Sequence, residues 1–379
     1  MGYKILSRLC FSVSFVLSWL PSVGQPSAAR LQHSLLVDAQ ENRMEKLSSG
    51  VYAIIHPHPT DQWPTSNTGV IIGNNSVLVV DANYLPSISY ADIELIKKVT
   101  NKPVKYVVYT HWHMDHNNGG IAYKKAFPGV QIVSQKMTAQ YISINSPWYA
   151  KRETAQNSVK RTSLAQMEED FERKSDTTGK TFTVEELKKM DTVIRQRKNE
   201  LDELNKLEIV VPNKTFDITM QIDLGGKIVM IKDWGRCNSP HDATIYLPKE
   251  KILFAGDMAV QLPLPFVAES WPVTWAVALE KLEQMPVVKI VPGHGPVLDG
   301  NSYIRQLRLL FNETAKQVQF QLSKGVPVDR IASSIDLSHL RKGVWSATGS
   351  DADDEWNTTI RTLVDRTVKC IRGQGGVAE

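Results

Sequence analysis

Four residues of metal-binding type lie within six consecutive positions of the chain. They are His111, His113, Asp115 and His116, directly after the apolar run at 104–109. Side chains two positions apart on an extended segment point the same way, so His111 and His113 can bind one ion together. Asp115 and His116 lie where the chain must turn and can reach a second ion. These ligand types suit Zn²⁺, with Mn²⁺ or Fe²⁺ as alternatives, so we predict one or two zinc-type ions per chain.

Two further residues of ligand type follow predicted strands. Asp257 comes after the apolar run 252–255, and His294 lies between two glycines after the predicted strand 289–291. An aspartate after a strand is most often a turn or cap residue. Three strand ends that all carry ligand-type residues in one chain favour a single metal site instead.

Three motifs closely resemble those of the metallo-β-lactamase superfamily. They are Thr-His-Trp-His-Met-Asp-His at 110–116, Leu-Phe-Ala-Gly-Asp at 253–257 and Val-Pro-Gly-His-Gly at 291–295. The segments 67–70 and 79–81 resemble the opening strands of that family. The resemblance covers roughly residues 45–136 and 209–300.

The resemblance implies an α/β fold, a four-layer αβ/βα sandwich with a pair of metal ions at one edge. It also implies a role for each of six side chains. His111 and His113 would bind the first ion, Asp115, His116 and His294 the second, and Asp257 both.

The sequence departs from the family at the third histidine of the first ion. By spacing this position is Asn238, whose neutral amide is a weaker zinc ligand than imidazole, so the first ion would be held loosely. His241 is the alternative ligand if the loop is shifted, and otherwise a surface histidine. Cys237 could approach the metal as a thiolate, although a lone cysteine is more often a small buried residue.

The chemistry that this site implies is metal-assisted hydrolysis. A metal pair lowers the pKa of bound water from roughly 15.7 toward about 7 and so supplies hydroxide at neutral pH. We assign Asp115 to orient this hydroxide and Asp257 to bridge the ions, as the two catalytic carboxylates. The chain has no Gly-x-Ser-x-Gly motif of a serine nucleophile. The predicted function is an exported zinc-dependent hydrolase that cleaves an ester, lactone, thioester or amide bond of a small molecule.

Three alternatives stay open. An aspartate at position 257 resembles the arrangement in glyoxalase II-like and lactonase-like members of the family, whereas dedicated metallo-β-lactamases usually have Cys or Ser there. An exported enzyme would nevertheless meet β-lactams, so β-lactam hydrolysis stays the main alternative. A nuclease or phosphodiesterase is disfavoured by a net charge of only +4, so no nucleic-acid partner is expected. A non-catalytic metal-binding protein would follow if the first ion site has decayed at Asn238. The 42% hydrophobic and 22% charged residues exclude disordered and fibrous classes.

The first residues have the pattern of an export signal. Lys4 and Arg8 precede the apolar run 9–20, and small residues follow. This run is shorter than the roughly 20 residues that span a bilayer. We therefore predict a signal peptide at 1–24, no stable membrane anchor, and a periplasmic or secreted protein.

The pattern divides the rest of the chain into a 45–300 metallo-β-lactamase-type domain, a helical insertion at 137–207 that interrupts it, and a helical extension at 301–379. The insertion lies between metal-ligand segments and could cover the site or join two copies in a homo-oligomer.

Other residues of interest lie outside these motifs. The proline-rich loop after the first predicted strand carries Trp63, a candidate substrate contact. The same loop carries His56 and His58, which prolines surround and which we interpret as non-ligands. Cys237 and Cys370 are predicted as isolated thiols, with a single bridge as the alternative.

Overall fold

The computed structural model describes residues 43–56, 65–261, 264–345 and 350–374. Within these ranges the chain forms two β-sheets flanked by helices. The predicted signal peptide at 1–24, His58 and Trp63 lie outside the described residues. None of the helices that the structure describes is long and apolar enough to span a bilayer.

The strands of the first sheet come from the N-terminal half of the chain. They are β1 (Arg43–Ser48), β2 (Val51–Ile55), β3 (Thr68–Ile72), β4 (Val77–Val80), β5 (Val104–Val108), β6 (Gln131–Gln135) and β7 (Lys214–Phe216). They are neighbours in chain order, antiparallel from β1 to β4 and parallel from β4 to β7. The glycine and two asparagines at 73–75, between two apolar runs, predict a hairpin. It is confirmed as β3–β4, whose pairing begins at Gly69 opposite Val80.

The second sheet is built from the strands that follow. They are β8 (Thr219–Asp223), β9 (Ile228–Asp233), β10 (Ala243–Leu247), β11 (Ile252–Val260), β12 (Lys289–His294) and β13 (Leu298–Asp299). Their order is β13-β12-β11-β10-β9-β8, and β11 and β12 are parallel neighbours. Every residue of β11 is buried, as expected for a strand covered on both faces.

The helices lie on the outer faces of the sheets or in the insertion. They are α1 (Pro86–Val99), α2 (Met114–Asn117), α3 (Gly120–Ala126), α4 (Lys136–Thr154), α5 (Val159–Arg173), α6 (Val184–Asn205), α7 (Pro272–Glu283), α8 (Ser302–Ser323), α9 (Val328–Ile331), α10 (Arg341–Val344) and α11 (Ser350–Ile371).

The buried apolar residues form three main clusters, one between each pair of adjacent layers, and these confirm the predicted four-layer αβ/βα sandwich. Between the sheets, Val108 of β5 and Phe254 of β11 belong to one cluster. Outside the first sheet, Ile93 of α1 packs with residues of β3 to β6. Outside the second sheet, Trp275 of α7 and Phe311 of α8 pack on β11, so the C-terminal helices cover this sheet as its outer layer.

The sequence of the insertion predicts two long helices around 175–179, with a capping box formed by Thr183 and Glu186. The structure contains three helices. The two predicted ones are α5 and α6, and the capping box is confirmed at the start of α6. These two helices share a small apolar core of their own, including Met167 and Ile194. The additional helix is α4, which begins directly after β6 and whose Tyr149 ring lies 5.5 Å from that of Trp112.

Candidate metal centre

Three strand ends bring the predicted ligands to one edge of the sandwich. The His111–His116 segment follows β5 and enters α2, whereas Asp257 lies within β11 and His294 is the last residue of β12. Because β11 and β12 are parallel neighbours, their carboxyl ends meet at the same edge. A Cβ at Gly293 would lie 2.0 Å from Asp257 Oδ1, so only glycine allows this approach.

The ligand-type side chains form two groups. His111, His113 and Asp257 make one, and Asp115, His116 and His294 make the other, with the ligand atoms of each group within 4.8 Å of one another. These are the two sets that the family resemblance implies.

Short distances connect the atoms within each group. In the first, His111 Nε2 lies 2.9 Å from His113 Nδ1 and 3.8 Å from Asp257 Oδ2. In the second, Asp115 Oδ2 lies 3.1 Å from His294 Nε2 and 3.5 Å from His116 Nε2. Histidine nitrogens and carboxylate oxygens this close to one another can all bind the same zinc-type ion.

Asp257 connects the two groups. Its Oδ1 lies 3.3 Å from His116 Nε2 and 3.5 Å from His294 Nε2, while its Oδ2 faces His111. Asp257 Oδ1 and His116 Nε2 are buried without a hydrogen-bond partner. Buried polar atoms are rarely left unsatisfied, and a cation between these two would satisfy both. The residues present therefore fit a pair of metal ions.

Outer hydrogen bonds orient the histidine rings. Asp81 Oδ2 lies 2.8 Å from His116 Nδ1, and the same carboxylate accepts from Thr110 N and Oγ1 at 2.8 and 2.9 Å. Thr110 Oγ1 is 3.1 Å from His111 Nδ1, and His294 Nδ1 is 3.2 Å from Thr65 O. Such partners select the ring tautomer that leaves the inner nitrogen free to bind an ion.

The role of Asp81 was missed from the sequence, where it was noted only as the end of an opening strand. A signal was present, because a carboxylate directly after β4, next to the metal-binding segment after β5, lies at the same sheet edge. Asp81 also has φ of +61°, a left-handed conformation that few non-glycine residues adopt. Such strain is tolerated where the surrounding contacts hold the residue in place.

Burial and the neighbouring charges determine the protonation of the centre. Burial raises the pKa of Asp115 and Asp257, but His116 and His294 outweigh it, so both carboxyl pKa values lie below their usual range. Both residues are thus carboxylates at neutral pH and able to bind cations. Burial and the neighbouring His116 and His113 lower the pKa of His111, which keeps its imidazole neutral.

The two candidates for the third first-ion ligand have different surroundings. Asn238 is fully buried between β9 and β10; its Nδ2 donates to Phe266 O at 2.7 Å, and its Oδ1 has no hydrogen-bond partner. His241 Nδ1 lies 3.0 Å from Asp233 Oδ2, and neither ligand group includes His241.

The remaining predicted residues lie apart from both groups. Cys237 is buried, and burial together with Asp242 and Asp233 raises the pKa of its thiol, so it is not a thiolate at neutral pH. Cys237 and Cys370 are both free thiols, as predicted. His56 Nε2 pairs with Asp92 Oδ1 at 2.9 Å in the protein interior, away from the ligand groups.

Comparisons with known proteins bear on the fold and on the family resemblance. Residues 61–142 match a family model described as the metallo-beta-lactamase superfamily. A linear primary-alkylsulfatase of Pseudomonas sp. (strain ATCC 19151) is 22% identical over 271 residues, covering 69% of this chain and 48% of the relative. The chain therefore spans about half the length of this relative.

Two solved structures share the fold. The inverting sec-alkylsulfatase Pisa1 from Pseudomonas sp. has a TM-score of 0.58 at 18% identity, covering 91% of this chain and 53% of that one. A metallo-beta-lactamase from Pontibacter korlensis has a TM-score of 0.50 at 20% identity, covering 72% of this chain and 99% of that one. Together with the family match, these likenesses confirm the metallo-β-lactamase resemblance of the sequence and its fold.

Proposed function

We propose that this metallo-β-lactamase-fold chain is a hydrolase that uses a pair of metal ions, with zinc as the preferred ion. The observation that carries the proposal is the position of Asp257. Its two carboxylate oxygens face ligand nitrogens of different groups, at 3.3 Å from His116 and 3.8 Å from His111. One carboxylate shared between two groups of ligands, of which all but the half-buried His113 are buried, is the arrangement that a dinuclear hydrolase needs.

The protein's own residues have distinct tasks in this proposal. Bound metal ions of this kind activate water at neutral pH and stabilise negative charge on a substrate oxygen. Asp115 and Asp257 are ionised, so each can orient a water molecule through a carboxylate oxygen. The Asp81 carboxylate holds the His116 ring, because it accepts from the outer nitrogen while Thr110 fixes the carboxylate itself.

The bond that is cleaved is proposed at the level of a class. Esters, lactones, thioesters and amides of small molecules are all open to this chemistry. Sulfate esters join them, because a relative over 271 residues and a structural neighbour covering 91% of the chain are alkylsulfatases. β-Lactams remain the alternative, supported by the fold shared with the Pontibacter metallo-beta-lactamase.

A substrate panel tests the proposal. Protein reconstituted with Zn²⁺ and protein treated with chelator would be assayed on an alkyl sulfate, a lactone, a thioester, a carboxylic ester, a β-lactam and a phosphodiester. We expect turnover of at least one small substrate that chelation abolishes and Zn²⁺ restores. Asp257→Ala should lose this turnover, and the exposed Glu94→Gln, whose side chain pairs with Lys97, should keep it. Turnover that survives chelation would contradict the proposal, and cleavage of the phosphodiester alone would favour the nuclease alternative.

Export and self-association are part of the same proposal. We propose a periplasmic or secreted protein, which N-terminal sequencing of the mature chain would test by a start near residue 25. We also propose a homo-oligomer through the insertion, because α4 exposes Ile144 and Trp148, four residues apart on one helix face. Ile144→Ser with Trp148→Ser should lower the mass in solution, and a wild-type monomer would contradict this contact.

A further inference from the structure

His113 differs from the other site histidines in the residue that its outer ring nitrogen faces. His111, His116 and His294 are each oriented by Thr110, Asp81 or Thr65, which lie in or beside the first sheet. For His113, Nδ1 faces His111, so Nε2 points away from the ligand group. This outer nitrogen lies 3.5 Å from Oε2 of Glu269, in the segment that leads from β11 to α7.

The insertion holds the Glu269 carboxylate. Tyr149 of α4 donates its hydroxyl to Glu269 Oε1 at 3.0 Å. The centroid of the Tyr149 ring lies 5.5 Å from that of Trp112 and 4.5 Å from the guanidinium carbon of Arg152, and both contacts hold its position. Trp112 itself is a residue of the metal-binding segment. The insertion therefore contacts both the histidine segment and the carboxylate that faces it.

The C-terminal helix also holds the segment that carries Glu269. Arg366 of α11 is buried, and its Nε and one terminal nitrogen donate to Ser270 O at 2.9 and 2.8 Å. Ser270 is adjacent to Glu269 and is itself fully buried. Two charge-assisted hydrogen bonds to a single carbonyl fix this peptide firmly.

We infer that Glu269 is a positioning residue for His113, and that the insertion and the C-terminal helix act on the first-ion group through it. A carboxylate facing Nε2 favours the tautomer with the proton on Nε2, which leaves the Nδ1 lone pair directed toward the ion. Neither ligand group includes Glu269, so it acts through His113. The inference rests on the proposed function, because it concerns the ion that His111 and His113 would bind.

Metal binding tests the inference apart from activity. Co²⁺ would be titrated into metal-free wild type, Glu269→Gln and Tyr149→Phe, with visible absorption reporting histidine coordination and a competing chelator giving the affinity. We expect Glu269→Gln to weaken one of the two ions by about 10–100-fold, the range for loss of an outer partner of a metal-bound histidine. Tyr149→Phe should weaken the same ion by a smaller factor, since it removes only the hydroxyl that holds Glu269.

Two reference variants identify which ion is affected. His294→Ala removes a ligand of the second group, so the ion that this variant still binds is the one at His111 and His113. When Glu269→Gln is added to this variant, binding of that ion should still weaken and its Co²⁺ spectrum should change. Asp81→Asn should weaken the other ion, because Asp81 contacts His116. Glu94→Gln is the exposed control and should change neither.

The outcomes separate the inference from the proposed function. A wild-type protein that binds no Co²⁺ or Zn²⁺ overturns the proposed function. A wild type that binds two ions, with Glu269→Gln binding both as tightly, overturns the inference alone. A lower melting temperature of metal-free Glu269→Gln with unchanged metal affinity and spectrum would assign Glu269 a structural role only and equally overturn it.

Discussion

The side-chain amide of Asn67 donates a 2.8 Å hydrogen bond to the carbonyl oxygen of Gly295, 228 residues away in the sequence. The same amide group donates to Pro292 O at 3.0 Å, and the backbone N–H of Asn67 donates to Gly293 O at 2.7 Å. Three hydrogen bonds from one residue thus hold the turn that presents His294. Asn67 belongs to the first sheet side of the sandwich and His294 to the second, so these bonds also tie the two sheets together at the site edge.

We expect Asn67→Ala to loosen the ion that Asp115, His116 and His294 would bind. The variant loses both side-chain hydrogen bonds to the turn. It also loses the one that Asn67 Oδ1 accepts from His56 N. Two carbonyl groups of the turn lose their partner, while every ligand stays in place. The affinity of this ion should fall by about 10-fold or more, as for other residues that orient metal ligands. Chelator competition with Zn²⁺ measures it, and the exposed Asn75→Ala serves as control. Equal affinities of Asn67→Ala and wild type would show that the turn holds His294 without these bonds.

A second prediction concerns the outer layer of the second sheet. Trp275 is fully buried, and its ring centroid lies 4.8 Å from that of Phe311 on α8. Trp275→Ala should destabilise the fold by about 3–5 kcal/mol, because it removes a large apolar side chain and leaves a cavity. Val277→Ala on the same helix, at a side chain that is 50% exposed, should change stability by no more than about 0.5 kcal/mol. Urea unfolding measures both, and similar losses for the two variants would contradict the packing.

The sequence was informative where short motifs coincide with strand ends. The His111–His116 segment, Asp257 and His294 each follow or end an apolar run, so their meeting at one edge could be predicted from strand order and ligand chemistry. Glu269 and Tyr149 could not, because their contact joins residues 120 positions apart and neither stands in a motif. Such pairs become visible only when the insertion is folded against the site.

The sequence predicts the insertion that contains α4 as helical, but it does not mark α4 as a separate helix, for a related reason. Its fully buried residues are mostly small or polar, and Pro147 lies within it. A helix without an apolar stripe gives no period of 3.6 residues, whereas α6 carries both a stripe and a capping box and was predicted correctly. The contacts of α4 with Trp112 and Glu269, rather than its own pattern, account for its place beside the site.

A third prediction concerns pH. Asp242 is buried, and burial raises the pKa of its carboxyl to about 8, against the hydrogen bond from the Ser239 N–H. Between the unfolded pKa of about 3.9 and this raised value, the folded protein holds a proton that the unfolded chain has lost. The contribution of Asp242 to the free energy of unfolding is therefore fully present below pH ~4 and is lost as the pH rises toward 8. The slope is at most about 1.4 kcal/mol per pH unit.

The neutral variant Asp242→Asn isolates this effect. Metal-free wild type and variant would be unfolded in urea at pH 5, 6.5 and 8. The stability of wild type relative to Asp242→Asn should decrease steadily over this range, since other titrating groups are common to both proteins. A difference that is constant with pH would show that Asp242 is ionised in the folded protein.

The last prediction tests the position at which the sequence departs from the family that it resembles. The Asn238 side chain is buried with its Oδ1 lacking a hydrogen-bond partner, while its Nδ2 is anchored to Phe266 O. An anchored amide whose oxygen is unsatisfied has the donor atom that a ligand position requires. Asn238→His should therefore tighten the ion bound by His111 and His113 by at least about 10-fold, because imidazole is a stronger zinc ligand than a neutral amide. His241→Ala is the control and should leave the metal content unchanged, because His241 pairs with Asp233.

Metal analysis after dialysis against a mild chelator distinguishes the two candidate ligands. Loss of one ion in His241→Ala, with no change in Asn238→His, would make His241 the third ligand.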